Sequence, residues 1–236
     1  MVVESIKILK KPKITLLTST ENPLQAIQIA IDIWHHPVEE IIKTKTIAYR
    51  EEQFHWLMKQ PHQTPLEYFH MVWLIENCSR AFQQQLTRHR IGFSYSIQSL
   101  RVVDVAKFFD EGQYTRPSTV KNIAEFDKTM WHLQETYRKM IDQEGEKTED
   151  ARGILPLNIH SPITMACTYR SLLALLRQRM CVSAQEEWKE VAQQMREAIA
   201  TINPIFAKPL DCMCKRLSKG YGFCKTLHKE VTAEEK

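Results

Sequence analysis

Apolar positions along the chain follow two periods, and the switches between them outline the fold. Lys13–Thr18 is a short run of apolar and β-branched residues and predicts a strand. Between Pro23 and His35, apolar residues at Leu24, Ile27, Ala30, Ile31 and Trp34 share one face of a helix. Thr20 or Asn22 can cap it, and Pro23 sits in the first turn, where its missing N–H has no partner to lose. Arg50–Lys59 predicts a second amphipathic helix, stopped by Pro61, and the aromatic, β-branched run Leu66–Glu76 predicts a strand. Helical spacing returns over Cys78–Arg90, with Ala81, Phe82, Gln85, Leu86 and His89 on adjacent turns. The longest helix pattern is Asn122–Glu144, whose stripe is Ile123, Phe126, Met130, Leu133, Tyr137, Met140 and Ile141. Ser161–Thr168 then reads as a strand, Arg170–Met180 as a helix, and Ala184–Ile202 as a helix ended by Asn203-Pro204. No internal repeat or low-complexity linker interrupts this order, so the pattern predicts a single α+β domain.

Composition narrows the classes. With 43% hydrophobic and 25% charged residues among 236, the chain has a globular balance and enough length for a sizeable core. A net charge of +4 suits anionic small molecules and falls short of a dedicated nucleic-acid binder. No apolar run reaches the roughly 20 residues that span a bilayer, so no membrane association is expected. The N-terminal MVVESIKILKKPKITLL lacks the apolar core and cleavage site of an export signal, so a cytoplasmic location is expected. The six cysteines are then expected as thiols. Cys212, Cys214, Cys224 and His228 hint at a metal site, but the Cys-x-Cys spacing is shorter than the usual knuckle and no metal is expected. The reading is one domain over 1–210 and a Cys/Lys-rich tail over 211–236.

The chemistry is concentrated at Arg88-His89-Arg90 and Gln98-Ser99-Leu100-Arg101. Arg grips a phosphate from two directions with a planar fork, so two such groups flanking a hydroxyl-rich turn (Ser94, Tyr95, Ser96) suggest a phosphorylated ligand. The competing reading is a solvated basic helix end. Three further patches bear on the choice: His62-Gln63-Thr64-Pro65-Leu66-Glu67, Ala151-Arg152-Gly153-Ile154-Leu155-Pro156, and Arg170-Ser171-Leu172 running into Arg179-x-Cys181-x-x-Ala184-Gln185-x-Glu187.

In this order the four patches resemble the flavin-dependent thymidylate synthases. That family carries an H-x-T-P-x-E turn, an RHR triplet with a Ser downstream, A-R-x-x-L-P and an R-x-C-x-x-A-Q-x-E helix. The resemblance runs from roughly Ile14 to Glu190. It implies an α+β fold with a central, mostly antiparallel sheet flanked by helices, assembled as a homotetramer with sites at subunit junctions. It also implies methylation of dUMP to dTMP, with methylenetetrahydrofolate as carbon donor and FAD, reduced by NADPH, as hydride carrier. By position, Arg179 is the catalytic residue that polarises the pyrimidine. Gln85, Arg88, Gln98, Ser99, Leu100, Arg101 and Arg152 join it in holding dUMP. His62, Thr64, Arg88, His89, Arg90, Thr168 and Arg170 would hold FAD. Ser99 is expected to bind rather than attack, because no paired base for it is visible.

Departures from the family pattern cluster around this pocket. Eight residues separate Arg90 from Ser99 where the family has seven, and the usual Asn-Glu pair falls on Ser96-Ile97. Gln84 stands where an Arg is common, Ala174 and Ser183 replace polar residues, Thr168 replaces Asn and His160 replaces Tyr. These changes motivate a second reading, a deoxyuridylate hydroxymethylase on the same fold. A third, from another class, is a nucleic-acid-binding protein using Lys215, Arg216 and Lys219 in the tail.

Overall fold

A computed structural model of the chain describes residues 8–43, 51–181 and 183–212. Strands β1 (Lys13–Ser19), β2 (His70–Glu76), β3 (Phe93–Ile97) and β4 (Ile163–Thr168) form an antiparallel sheet of order β1-β2-β4-β3. The helices are α1 (Pro23–Asp32), α2 (Val38–Lys43), α3 (Glu51–Leu57), α4 (Arg80–Leu86), α5 (Ile123–Asp142), α6 (Thr148–Ala151), α7 (Tyr169–Arg179), α8 (Glu186–Ile202) and α9 (Pro204–Ala207). This is the expected α+β architecture. Two compact units divide it, and the division falls inside every strand. The first comprises Leu74–His89, Tyr95–Thr164 and the stretch ending at Ile14; the second comprises Thr15–Trp73, Arg90–Ser94 and the stretch from Met165.

The core of the first unit is Leu100, Phe108, Phe109, Tyr114, Met130, Tyr137, Ala151 and Ile159, with Phe126, Leu133, Met140 and Ile141 packed partly against it. The α5 stripe is therefore the predicted one, except that Ile123 lies outside at 47% exposure. Asn122 caps this helix by accepting from the Glu125 N–H. Buried within the stripe is one polar residue, Gln134, whose Oε1 accepts from the Phe109 and Asp110 N–H groups at 2.8 and 3.1 Å. It satisfies amides that the loop after Leu100 would otherwise leave orphaned.

The second unit is built on aromatic rings. Phe69 stacks on Tyr169 at 5.6 Å between centroids, Phe54 meets Phe206 edge-on at 5.2 Å, and the Tyr169 hydroxyl donates to the Phe206 carbonyl at 2.7 Å. Helix α7 buries Leu172, Leu173, Leu175 and Leu176, and α8 buries Trp188, Val191, Ala192, Met195 and Ile199 at helical spacing.

Local structure corrects four readings. The segment expected as a strand from Leu66 begins as a 3-10 turn over Thr64–Tyr68, and β2 starts only at His70. Pro65 fixes φ at the turn's start and buries its ring with Leu66, so the first aromatic residues belong to a turn. The helix expected over Cys78–Arg90 is confined to α4, because Ser79 accepts from the Phe82 N–H as its cap and the chain turns at Thr87. The hydroxyl-rich turn is strand β3: Phe93 and Tyr95 alternate with exposed Ser94 and Ser96. Helix α1 stops at Asp32 rather than His35, and Asn22 stands at its start without a side-chain cap bond. Arg50, the start of the second expected helix, and residues 213–236 of the tail lie outside the described residues. Cys212 is described and is a buried free thiol.

Candidate functional site

The predicted site residues fall into two groups, one in each unit. In the first unit, Ser99, Arg101 and Arg152 come together around Glu149. Arg101 donates from Nε and Nη2 to the Glu149 carboxylate at 3.0 and 2.5 Å. Arg152, just after the short helix α6, donates from Nε to the Glu149 carbonyl at 3.0 Å. The Ser99 hydroxyl accepts from the Arg101 N–H at 3.2 Å, and the Ser99 carbonyl accepts from Val102 and Val103, so Ser99 organises a tight turn. Leu100 is buried there and anchors the turn to the core. An open groove of about 630 Å³ follows, lined by Ser99, Arg101, Val102, Gly145, Glu146, Lys147, Thr148 and Glu149. A guanidinium on a groove wall, oriented by a carboxylate and beside exposed amide and hydroxyl groups, suits a phosphate.

Gln98 and Gln85 lie close by in chain terms. The Gln98 N–H donates to the Pro162 carbonyl at 3.1 Å, which ties the entry of the Ser99 turn to the residue before β4. Gln85 is half-buried on α4, and Arg88 beyond it is exposed. The backbone at His89 is held by Tyr95, whose hydroxyl reaches the Leu86 and His89 carbonyls at 3.0 and 2.7 Å. His160 is buried in the same unit, with Nε2 3.1 Å from the Thr115 hydroxyl. Burial, with a smaller contribution from Lys10, pushes its pKa down to about 4, so the ring is neutral at physiological pH.

In the second unit the 3-10 turn Thr64–Tyr68 and the start of α7 pack together. The Thr20 hydroxyl pins this turn by donating to the Tyr68 carbonyl and accepting from the His70 N–H. Arg170 donates from Nη1 to Glu67 at 2.6 Å, both side chains being about half exposed. His62, Thr64 and Arg90 are exposed. Thr168 caps α7 by accepting from the Ser171 N–H at 3.3 Å, so this hydroxyl serves the helix end first. At the other end of α7, the Arg179 guanidinium lies over the buried Trp188 ring, 4.8 Å from its centroid. Stacking holds the fork flat, and the C-terminal end of a helix favours a cation.

Among the described residues no group of three or more His, Cys, Asp or Glu side chains could hold a metal ion, and no helix is long and apolar enough to cross a membrane. Glu149, Glu67, Trp188 and Tyr95 were not singled out for these roles by the sequence. The first three are partners of guanidinium groups, and 48 residues separate Arg101 from Glu149 and 103 separate Glu67 from Arg170. Each of the four lies in or beside a named segment, Glu67 in H-x-T-P-x-E, Tyr95 in the hydroxyl-rich stretch, Glu149 just before A-R-x-x-L-P and Trp188 just after the last motif, but residue type alone did not assign these contacts.

The family model for thymidylate synthase complementing proteins matches residues 15–205. A flavin-dependent thymidylate synthase of Pyrococcus horikoshii is 32% identical over 195 residues, covering 80% of this chain and 79% of the relative. Thymidylate synthase X of Helicobacter pylori, solved with FAD and dUMP, superposes with a TM-score of 0.68 at 20% identity, over 84% of this chain and 99% of that one. The UMP/dUMP methylase PolB of Streptomyces cacaoi, solved with 5-Br dUMP, also superposes at 0.68 and 20% identity, over 86% of this chain and 96% of that one.

Proposed function

The chain belongs to the flavin-dependent thymidylate synthase family, and from that premise we propose that it methylates dUMP at C5 to give dTMP. Methylenetetrahydrofolate supplies the carbon, and FAD reduced by NADPH supplies the hydride. The observation that carries this reading is the ordered set of four motifs lying inside the matched span, with Arg88, Arg90, Arg101, Arg152 and Arg170 exposed and Arg179 partly exposed at a helix end. The deoxyuridylate hydroxymethylase finds no support among the relatives, and the nucleic-acid reading rested on tail residues outside the described ones.

The residues present fit an anionic dinucleotide cofactor. Arg90 and Arg170 with His62 and Thr64 offer cationic and polar groups on the second unit, and the family motif adds Arg88 and His89 to the assignment. FAD, when bound, supplies the hydride that turns a transferred methylene into a methyl group. The nucleotide phosphate is assigned to Arg101, Arg152, Gln85 and Arg88, with Gln98 and the Ser99 and Leu100 backbone framing it. Glu149 keeps the Arg101 fork flat and pointed at the groove until a phosphate competes for it. Arg179 polarises the pyrimidine: charge grows on O2 and N3 as C5 becomes nucleophilic, and a preorganised guanidinium stabilises that charge more than it stabilises the ground state. Ser99 is assigned to binding rather than attack: its hydroxyl accepts from the Arg101 N–H and shapes the turn. Thr168 acts from the helix cap, by fixing the residues that follow it. A homotetramer with sites at subunit junctions completes the reading.

The test is product mass. Purified protein given dUMP, methylenetetrahydrofolate and NADPH should return a nucleotide heavier by one CH2. A gain of CH2O would mean hydroxymethylation, and an unchanged nucleotide with a colourless protein would refute the assignment.

A further inference from the structure

Gly92 and Ser171, 79 positions apart, are fitted to one another. Gly92 has φ +75°, a conformation that side chains rarely adopt, and a Cβ built there would lie 2.0 Å from the Ser171 Oγ and 3.1 Å from its Cβ. The Ser171 hydroxyl donates to the Ile91 carbonyl at 3.2 Å. It accepts in turn from the Thr168 hydroxyl at 3.2 Å, while the Thr168 Oγ accepts from the Ser171 N–H. The turn Arg90–Phe93 closes with the Phe93 N–H on the Arg90 carbonyl. A short relay, Thr168 to Ser171 to Ile91, therefore fastens this turn to the first turn of α7, all of it within the second unit. Ile91 is 93% exposed, so its apolar side chain gives the turn no hydrophobic anchor. Between Arg90 and Gly92 the turn is held by the hydroxyl relay and admitted by the absence of a side chain at Gly92.

We infer that Ser171 is a positioning residue for the flavin side of the site: it docks the Arg90–Gly92 turn on α7 and so fixes Arg90 relative to Arg170. The inference rests on the assignment of Arg90 and Arg170 to FAD. It also accounts for the residue added between Arg90 and Ser99, because a left-handed glycine absorbs an extra position in the turn while Phe93 and Tyr95 still alternate with Ser94 and Ser96. Free rotation of Arg90 about an undocked turn would require ordering on binding, and that ordering opposes affinity.

Ser171→Ala removes the donor to Ile91 and the acceptor for Thr168, and Gly92→Ala drives a methyl into the Ser171 hydroxyl. Each should weaken FAD binding about tenfold, the scale of one hydrogen bond lost from a preorganised loop, with the dUMP dissociation constant unchanged. Ser171→Ala added to Arg90→Ala should weaken FAD no further, because the serine acts through that arginine. Wild-type protein that fails to take up FAD would refute the flavin assignment itself. Wild-type protein that binds FAD, with variants that bind it equally well, would overturn the positioning role alone. So would additive loss with Arg90→Ala, or parallel loss of dUMP. Should Ser171→Ala fail to fold, Gly92→Ala with the same two titrations decides the matter.

Discussion

The two units hold their cations by different means. In the first, Arg101 and Arg152 sit on a turn and just after a four-residue helix, and both depend on Glu149, one on its carboxylate and one on its carbonyl. In the second, Arg170 and Arg179 stand at the two ends of the eleven-residue helix α7, one paired with Glu67 and the other stacked on a buried indole. The first arrangement is adaptable: the Arg101 side chain is 60% exposed on a turn, water screens its pair with Glu149, and a phosphate can replace the carboxylate. The second is rigid, with spacing set by a packed helix. A group that must be placed against developing charge belongs on the rigid side, and a group that must yield to an arriving phosphate belongs on the adaptable side.

The sharpest test of that contrast is Arg179→Ala. Losing a preorganised charge aimed at the transition state should lower turnover by about 10²–10³, or ~3–4 kcal/mol, with FAD still bound. Equal loss of flavin and activity would place Arg179 with the flavin residues instead. An acid titration probes the first unit. His160 has its folded pKa depressed to about 4 against an ordinary 6.5, so the unfolded chain binds the extra proton first as pH falls. Stability attributable to this ring is whole above pH 6.5 and lost progressively down to about 4. The loss amounts to at most ~3 kcal/mol. His160→Gln should flatten the melting temperature over that window, and a profile identical to wild type would show that other groups control acid unfolding. Arg101→Ala should raise the KM for dUMP by about 10- to 100-fold, the range of a charged hydrogen bond, and an unchanged KM would remove Arg101 from the phosphate site. Smallest is Glu67→Ala. An ion pair this exposed is worth about 0–1 kcal/mol, so FAD affinity should shift by less than about fivefold; a larger loss would mean that Glu67 itself contacts the flavin.

How much of this was legible follows the contrast between packed helices and turns. Helices α5, α7 and α8 announce themselves by apolar residues every third or fourth position, and they carry Arg170 and Arg179 in register. The segments between them have no such period to read. Ser94-Tyr95-Ser96 looks like loop chemistry because hydroxyls dominate, although its alternation is that of a strand. Thr168 looks like a pocket residue, yet its hydroxyl caps a helix. Motifs name the cations; the carboxylates that pair with Arg101 and Arg170 are reached across 48 and 103 residues, while the Trp188 indole under Arg179 stands one position past the last motif.

The division of labour is tested most directly by crossing two variants with two ligands. Equilibrium titration of FAD and dUMP against Arg90→Ala and Arg101→Ala should give a crossed result. Arg90→Ala weakens FAD and leaves dUMP intact, and Arg101→Ala does the reverse. Loss of both ligands in either variant, or of neither in both, would contradict the account.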